Sequence, residues 1–303
     1  MTRKQLFIIQ FGLLALLIAL AVPQPAFAGL RITTVFIDSD PPPPDSIAGG
    51  GNLRAIVNAA ARKWERVFRG SSNWDLTIEY GWSDTYRDNG AAYGVETLED
   101  QGGTPVRPTR ARILFRNSRT PDGFYNWYAD PTPHNNNEYQ DYESLLAEVF
   151  DQDNEPIGEL NVGRLFHATS GAAAGRVDLL TVAMHEIGHA LGLDHRYDGH
   201  KEQVTGVTVD IKSPLPFAGL SIIMQTGTHI WAFDPTVLMS INPTAGTRNL
   251  ITAADALVIA QLTSFDRPDL GEPPGVPRVR PLKCGRLTLG PPRTTIPVPD
   301  ATE

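Results

Sequence analysis

Residues 185–195 read His-Glu-Ile-Gly-His-Ala-Leu-Gly-Leu-Asp-His, and this run decides the interpretation of the 303-residue chain. His185 and His189 are four residues apart, so on a helix they lie one above the other on a single face. Two imidazoles in that position can bind one Zn²⁺, and Glu186 lies beside them to act on a metal-bound water. The sequence therefore predicts a helix that carries a zinc site.

The end of the run extends this pair into a complete set of ligands. Gly192 can leave the helix with positive φ, and the resulting turn would bring His195 back as a third ligand. Three protein ligands leave one position open for water, which is the mark of a catalytic zinc site. If His195 does not bind the metal, Asp194, Asp198 and His200 are the next candidates on the sequence.

The residues around the two histidines predict that this helix is buried, because they are apolar over most of its surface. The apolar positions are Val177, Leu179, Leu180, Val182, Ala183, Met184, Ile187, Ala190 and Leu191. Buried imidazoles and a buried carboxylate need partners, and one metal ion supplies a partner to all of them. A metal site therefore explains the pattern better than a purely structural role for the histidines.

The extended pattern resembles the signature of the metzincin superfamily of zinc endopeptidases, in which a methionine turn lies under the metal. Two downstream methionines compete for that turn. Met239 is followed by a segment that opens Thr252-x-x-Asp255, and this looks like the final helix of a matrixin-type catalytic domain. Met224 lacks such a helix at the right distance. We therefore assign the turn to Met239. The methionine that does not form the turn would be an ordinary core residue.

The resemblance implies an α+β fold of metzincin type, in which a twisted mixed sheet packs on two helices. A smaller C-terminal subdomain, from Gly192 to about Phe265, would lie below the zinc cleft. Alternation and amphipathic spacing predict strands at 30–37, 75–82, 111–116 and 160–166, and a first helix that Asn52 caps and that ends near Phe68. The stretch between His195 and Met239 is longer than in matrixins, which predicts an insertion beside the cleft, with strand and turn at Val204–Val209.

Composition divides the chain into three parts. Residues 1–28 have a basic start, an apolar stretch and an Ala-x-Ala site, which predicts a cleaved secretory signal, with an uncleaved anchor as the alternative. We expect a metzincin-like peptidase domain at residues 29–266 and a proline-rich, disordered tail at residues 267–303. The protein would be secreted to the extracellular space, the periplasm or the cell surface.

Charge and cysteine content exclude several classes of partner. The formal net charge is −8 without a basic cluster, so we expect no nucleic-acid partner. No second long apolar run is present, so we expect no membrane span after signal cleavage. Cys284 is the only cysteine, which excludes an intrachain disulfide.

A second metal site is conceivable at an acidic run. Asp151, Asp153 and Glu155 provide closely spaced oxygen ligands that could bind Ca²⁺. The run resembles a calcium loop only loosely, because Pro156 stands where an EF-hand needs glycine. A solvated acidic loop is the alternative.

The leading hypothesis is a secreted zinc-dependent endopeptidase that hydrolyses protein or peptide substrates. Glu186 would take the proton of a zinc-bound water and deliver it to the leaving amine. The main alternative is a catalytically degenerate, metal-stabilised binding or adhesion module, although degenerate members usually lose the glutamate. A zinc hydrolase of non-peptide amides also fits the motif.

Overall fold

The computed structural model describes residues 29–37, 43, 47–70, 73–83, 93–101, 107–117, 126–230, 236–240, 243–271 and 288–295. The predicted signal at residues 1–28 and Cys284 lie outside the described residues. No helix in the described part of the chain is long and apolar enough to cross a membrane.

The first half of the fold is a mixed four-stranded sheet with one helix. Its elements are β1 (Leu30–Phe36), α1 (Leu53–Val67), β2 (Trp74–Ser83), β3 (Tyr93–Gln101) and β4 (Arg107–Arg116). The strand order is β1-β2-β4-β3, with β1, β2 and β4 parallel and β3 antiparallel at one edge. The α1 helix begins where Asn52 Oδ1 accepts a hydrogen bond from the Ala55 N–H at 2.9 Å, as its capping position predicts.

The second half contains three helices and three further small sheets. Its elements are β5 (Trp127–Tyr128), β6 (Asp141–Phe150), β7 (Pro156–His167), β8 (Val177–Asp178), α2 (Leu179–Ala190), α3 (Asp198–Gln203), β9 (Val204–Thr205), β10 (Thr208–Asp210), β11 (Ser221–Gln225), β12 (His229–Ile230), β13 (Thr247–Asn249), α4 (Ala253–Leu262) and β14 (Thr288–Thr295). The sheet orders are β13-β7-β6-β14, β12-β11-β10-β9 and β5-β8. The expected α+β class with a mixed sheet is confirmed.

Helix α2 is held in the middle of the molecule by α1 and by the mixed sheet. The α1 helix packs on β1 and on α2, and α2 also contacts β3 and β4. Trp64 of α1 is fully buried, and its indole N–H donates to the Met184 carbonyl of α2 at 2.8 Å. A buried indole that has a hydrogen-bond partner fixes the distance between the two helices.

The predicted strands are present, but the mixed sheet differs from the expected one in two respects. The predicted strand at 160–166 is part of β7, but it belongs to the separate antiparallel sheet with β6. The fourth strand of the mixed sheet is β3, which the sequence analysis did not recognise. The strand and turn predicted at Val204–Val209 are confirmed, since β9 and β10 form a hairpin that turns at Gly206 with φ of 63°.

Part of the predicted disordered tail is structured. Residues 288–295 form β14, which pairs antiparallel with β6 and covers its outer edge. The prediction of disorder failed for residues 288–295 because they contain two prolines and show little alternation of apolar and polar residues. Pairing with a distant strand cannot be read from such a local pattern. Proline is tolerated here because β14 is an edge strand.

The acidic run is the loop of the β6–β7 hairpin, and the structure gives no support to calcium there. Asp151 Oδ1 accepts hydrogen bonds from the backbone N–H groups of Asp153 and Glu155, each at 2.9 Å. Asn154 adopts a left-handed conformation with φ of 61°, which completes the turn. The Asp151 carboxylate thus satisfies the backbone of its own turn.

A buried ionic cluster anchors the N-terminus of α2. Asp178 caps the helix by accepting from the Thr181 N–H and hydroxyl at 3.0 and 2.8 Å. The fully buried Arg248 of β13 donates to Asp178 at 2.9 Å and to Asp130 at 2.7 Å. Burial alone would raise the pKa of Asp178, but Arg248 and the Thr181 donors lower it below its usual value. The cluster therefore joins β13, the loop after β5 and α2.

Arg248→Met should strongly destabilise the protein, because it leaves two buried carboxylates without their counter-ion. Breaking a buried pair in this way costs about 3–5 kcal/mol in the free energy of unfolding. Arg31→Met is the matched control, since Arg31 pairs with Asp75 on the surface with both side chains about two-thirds exposed, at 65% and 66%. Urea unfolding of both variants checks this, and equal losses would contradict it.

Removing residues 288–303 should lower the unfolding midpoint and promote self-association, because the outer edge of β6 would lose its pairing strand. A chain that ends after Thr295 is the control, since it keeps β14. Thermal unfolding and sedimentation of the two truncated proteins make the comparison. If both behave like the full chain, the pairing of β14 contributes nothing to stability.

Candidate metal centre

Helix α2 directs two imidazole rings to one point, and backbone carbonyls set their orientation. His185 Nδ1 lies 2.9 Å from the Leu238 carbonyl oxygen, and His189 Nδ1 lies 2.7 Å from the Leu193 carbonyl oxygen. A carbonyl oxygen only accepts, so each Nδ1 carries the proton and each Nε2 carries a lone pair. This is the arrangement in which a histidine binds a metal through Nε2.

The two Nε2 atoms are 3.0 Å apart. Two nitrogens bound to one tetrahedral Zn²⁺ are about 3.3 Å apart, since each Zn–N bond is about 2.0–2.1 Å. The observed separation is close to that value. The pair therefore has the geometry of two ligands to one cation.

Burial keeps both rings neutral. It lowers the pKa of His185 well below its ordinary value, and the neighbouring His189 and His229 lower it further. Burial and His229 likewise lower the pKa of His189 to about 3. Neutral imidazoles bind a metal at pH 7 without first losing a proton.

The third imidazole beside this pair is His229 of β12, which the sequence analysis missed. Among the described residues, His185, His189 and His229 form the one group of three or more potential ligands whose ligand atoms all lie within 4.8 Å of one another. The His229 ring centroid is 5.4 Å from that of His185 and 4.9 Å from that of His189. The sequence offered one signal for His229 as a potential ligand, which is that it lies in the segment between His195 and Met239 that was expected beside the cleft.

His195, the expected third ligand, lies outside this group. Gly192 does leave the helix as expected, with φ of 128°. The chain that follows does not bring His195 back, and its exposed ring lies against His200 at a centroid distance of 5.1 Å. His195 Nε2 is 3.3 Å from the Thr226 carbonyl oxygen.

The other sequence candidates for the third ligand have partners of their own. Asp194 accepts from the backbone and guanidinium of Arg196. Asp198 forms an exposed pair with Lys201 at 2.7 Å. His200 Nε2 lies 2.7 Å from the Gly227 carbonyl oxygen. None of the three belongs to the group around His185.

Glu186 is buried next to the first histidine and has an unused oxygen. Its side chain is 3% exposed, and within the described part of the chain Oε2 has no hydrogen-bond partner. Burial, with a contribution from the negative charge of Asp194, raises the pKa of Glu186 to about 8. A buried, unpaired carboxylate is costly unless a cation or a reacting group satisfies it. Zinc at the neighbouring imidazoles fits this requirement.

Met239 lies directly beneath the zinc helix. A Cβ on Gly188 would be 2.3 Å from Met239 Sδ, so only glycine allows the thioether to approach the helix between the two histidines. Met239 is fully buried. Met224 lies instead in β11, in the sheet of order β12-β11-β10-β9, where its N–H donates to the Val207 carbonyl. The geometry therefore favours Met239 as the methionine turn.

The turn around Met239 is fixed by the capping carboxylate of α4. Asp255 accepts from the backbone N–H groups of Leu238 and Met239 at 3.3 and 3.1 Å. It also accepts from the N–H of Thr252, whose hydroxyl caps the helix in return. Burial raises the pKa of Asp255 to about 6, against the effect of these donors. One carboxylate thus links α4 to the turn that orients His185.

Gly188→Ala should destabilise the protein by about 1–3 kcal/mol through overpacking against Met239, although alanine is the better helix former. In a Met239→Ala background, the same substitution should cost nothing or be stabilising, because the clash is gone. A double-mutant cycle measured by urea unfolding tests the coupling. Gly158→Ala is the control, since its added Cβ would meet Pro216 at an ordinary 3.7 Å. Equal costs in both backgrounds would contradict the contact.

Part of the chain is similar to a known protein family. Residues 117–203 match the family model of matrixin, peptidase family M10. The matched segment contains His185, Glu186 and His189, and it ends before His229 and Met239. No curated protein and no solved structure matches the chain. The match covers less than a third of the sequence, but it covers α2, and together with the mixed α+β fold it supports a matrixin-like metzincin catalytic domain.

Proposed function

We propose that this protein is an exported zinc endopeptidase that cleaves polypeptides. The matrixin match implies a zinc-dependent peptidase at the level of the family. The observation that carries the proposal is the pair of Nε2 lone pairs 3.0 Å apart, next to the unpaired Glu186 carboxylate. Export is supported by the basic and apolar sequence that precedes the Ala-x-Ala site ending at residue 28.

His185 and His189, with a third imidazole, would hold the zinc. A bound Zn²⁺ would polarise the scissile carbonyl and lower the pKa of the attacking water. Glu186 would accept the proton of that water as it attacks, because its Oε2 has no other partner. The burial that raises the pKa of Glu186 also lets the protonated carboxyl deliver this proton to the leaving amine.

A polypeptide substrate is supported by the edge strand of the mixed sheet. The order β1-β2-β4-β3 leaves β3 at the edge, and α2 packs against both β3 and β4. In the described part of the chain, no strand pairs with the outer side of β3. An extended peptide can add to such an edge through main-chain hydrogen bonds, which small amides cannot do over the same length.

Glu186→Gln should abolish peptide cleavage and leave about one zinc per chain, because the carboxylate is a base and not a ligand. Loss of a general base lowers kcat by roughly 10²–10⁴-fold. The measurements are digestion of a peptide library by the purified chain, with and without a zinc chelator, and metal analysis of each variant. Glu202→Gln is the control, since Glu202 is exposed on α3.

Each result separates the proposal from its rivals. Substantial cleavage by Glu186→Gln would exclude Glu186 as the base, and loss of zinc from that variant would show that it is a ligand. A wild-type chain that binds zinc and cleaves no peptide would favour the adhesion or binding module. Cleavage that survives the chelator would exclude a metallopeptidase.

A further inference from the structure

A cavity lies between the last turns of α1, strand β7 and the segment that leads into α4. Its volume is about 130 Å³. A water molecule takes about 30 Å³ in the liquid, so the cavity has room for a group the size of about four waters. None of the residues that line it belongs to the group of His185, His189 and His229. The cavity is therefore separate from the candidate metal centre.

Positive charge is in excess around this cavity. Lys63 and Arg66 of α1 and Arg164 of β7 line it, and Asp269 is the one acidic residue among the lining residues. Asp269 Oδ1 accepts a hydrogen bond from the Gly271 N–H at 2.9 Å, so this carboxylate also serves its own turn. Three cations around one small cavity attract an anion.

Arg164 gives this attraction a specific anchor. Its side chain is half-buried, and within the described residues its guanidinium has no hydrogen bond and no ion pair. The other described arginines that are not exposed all have partners for their side chains, and they are Arg107, Arg112, Arg116, Arg176 and Arg248. A guanidinium carries five N–H donors, and partial burial without an acceptor is costly. Arg164 therefore requires an acceptor that the described protein groups do not supply.

One wall of the cavity belongs to the segment that holds the methionine turn. The Leu250 N–H donates to the Arg164 carbonyl at 2.9 Å. Thr252 lines the cavity and caps α4 together with Asp255, which holds the turn around Met239. A ligand bound to Arg66 and Arg164 would therefore link α1 and β7 beside the start of α4.

We propose that this cavity binds a small oxyanion, a phosphate or carboxylate group, between the guanidinium groups of Arg66 and Arg164. The planar fork of a guanidinium matches the oxygens of a carboxylate or a phosphate, and the resulting hydrogen bonds are charge-assisted. The inference involves no metal and does not depend on the proposed peptidase activity. A bound oxyanion would stabilise the folded chain, because it binds the folded state and not the unfolded one.

The test is calorimetric titration and thermal unfolding of the purified full chain with phosphate and, separately, with succinate. Sodium chloride at the same ionic strength is the blank, since it reproduces screening without an oxyanion. The test variants are Arg164→Gln and Arg66→Gln. Arg62→Gln is the matched control, because Arg62 is an exposed arginine of the same helix and does not line the cavity.

Without an added oxyanion, Arg164→Gln should be no less stable than the wild type, because it removes a half-buried charge that lacks a partner. With phosphate or succinate, Arg164→Gln should bind roughly 10–100-fold more weakly, as expected for the loss of a hydrogen bond to a charged group. Arg66→Gln should also bind more weakly. Arg62→Gln should stay within about twofold of the wild type, because exposed charges are screened.

The outcomes separate a built site from a general effect of salt. Tighter binding of phosphate or of succinate supports the proposal and identifies which oxyanion the site prefers. Stabilisation that sodium chloride reproduces would mean an adventitious ion only, and it would overturn the proposal. Equal affinities in Arg164→Gln and Arg62→Gln would place the anion elsewhere, for example at the metal centre, and would overturn it too. If Arg164→Gln does not fold, Arg66→Gln decides, since Arg66 is exposed. Unchanged affinity in that variant would then overturn the proposal.

Discussion

The hydrogen bond between His185 Nδ1 and the Leu238 carbonyl is the interaction on which the centre depends. It fixes the tautomer of the first ligand, and it joins the active helix to a loop that lies far along the chain. Asp255 holds the backbone of the same turn, because it accepts hydrogen bonds from the N–H groups of Leu238 and Met239. The metal site is therefore built on a chain of polar contacts that runs from the start of α4 to α2.

The opposite side of α2 is fixed by a second set of contacts, and the two sets restrict different motions. Asp178, held by Arg248, fixes the start of the helix, while Trp64 bonds to the Met184 carbonyl just before the first ligand. Gly188 lets Met239 approach from below. Translation and rotation of the helix are therefore both restrained by the fold.

The sequence allowed prediction of those parts of the site that local geometry controls. The four-residue spacing of His185 and His189, the positive φ of Gly192 and the Asn52 cap each depend on a few neighbouring residues. The features that the sequence did not reveal involve distant partners: β3 and β14 find their sheets across long separations, and His229 of β12 lies beside the histidine pair of α2. No local pattern in these segments specifies which strand or ring they will meet.

The path of the chain after Gly192 is set by a local contact between Asp194 and Arg196. After Gly192 the helix no longer dictates direction, so side-chain contacts decide the path. Asp194 accepts from the N–H, Nε and Nη2 of Arg196, and these bonds close the segment on itself. Burial alone would raise the pKa of Asp194, but Arg196 lowers it, so the carboxylate stays charged and the contact persists at neutral pH. This turn leaves the His195 ring exposed, against the ring of His200.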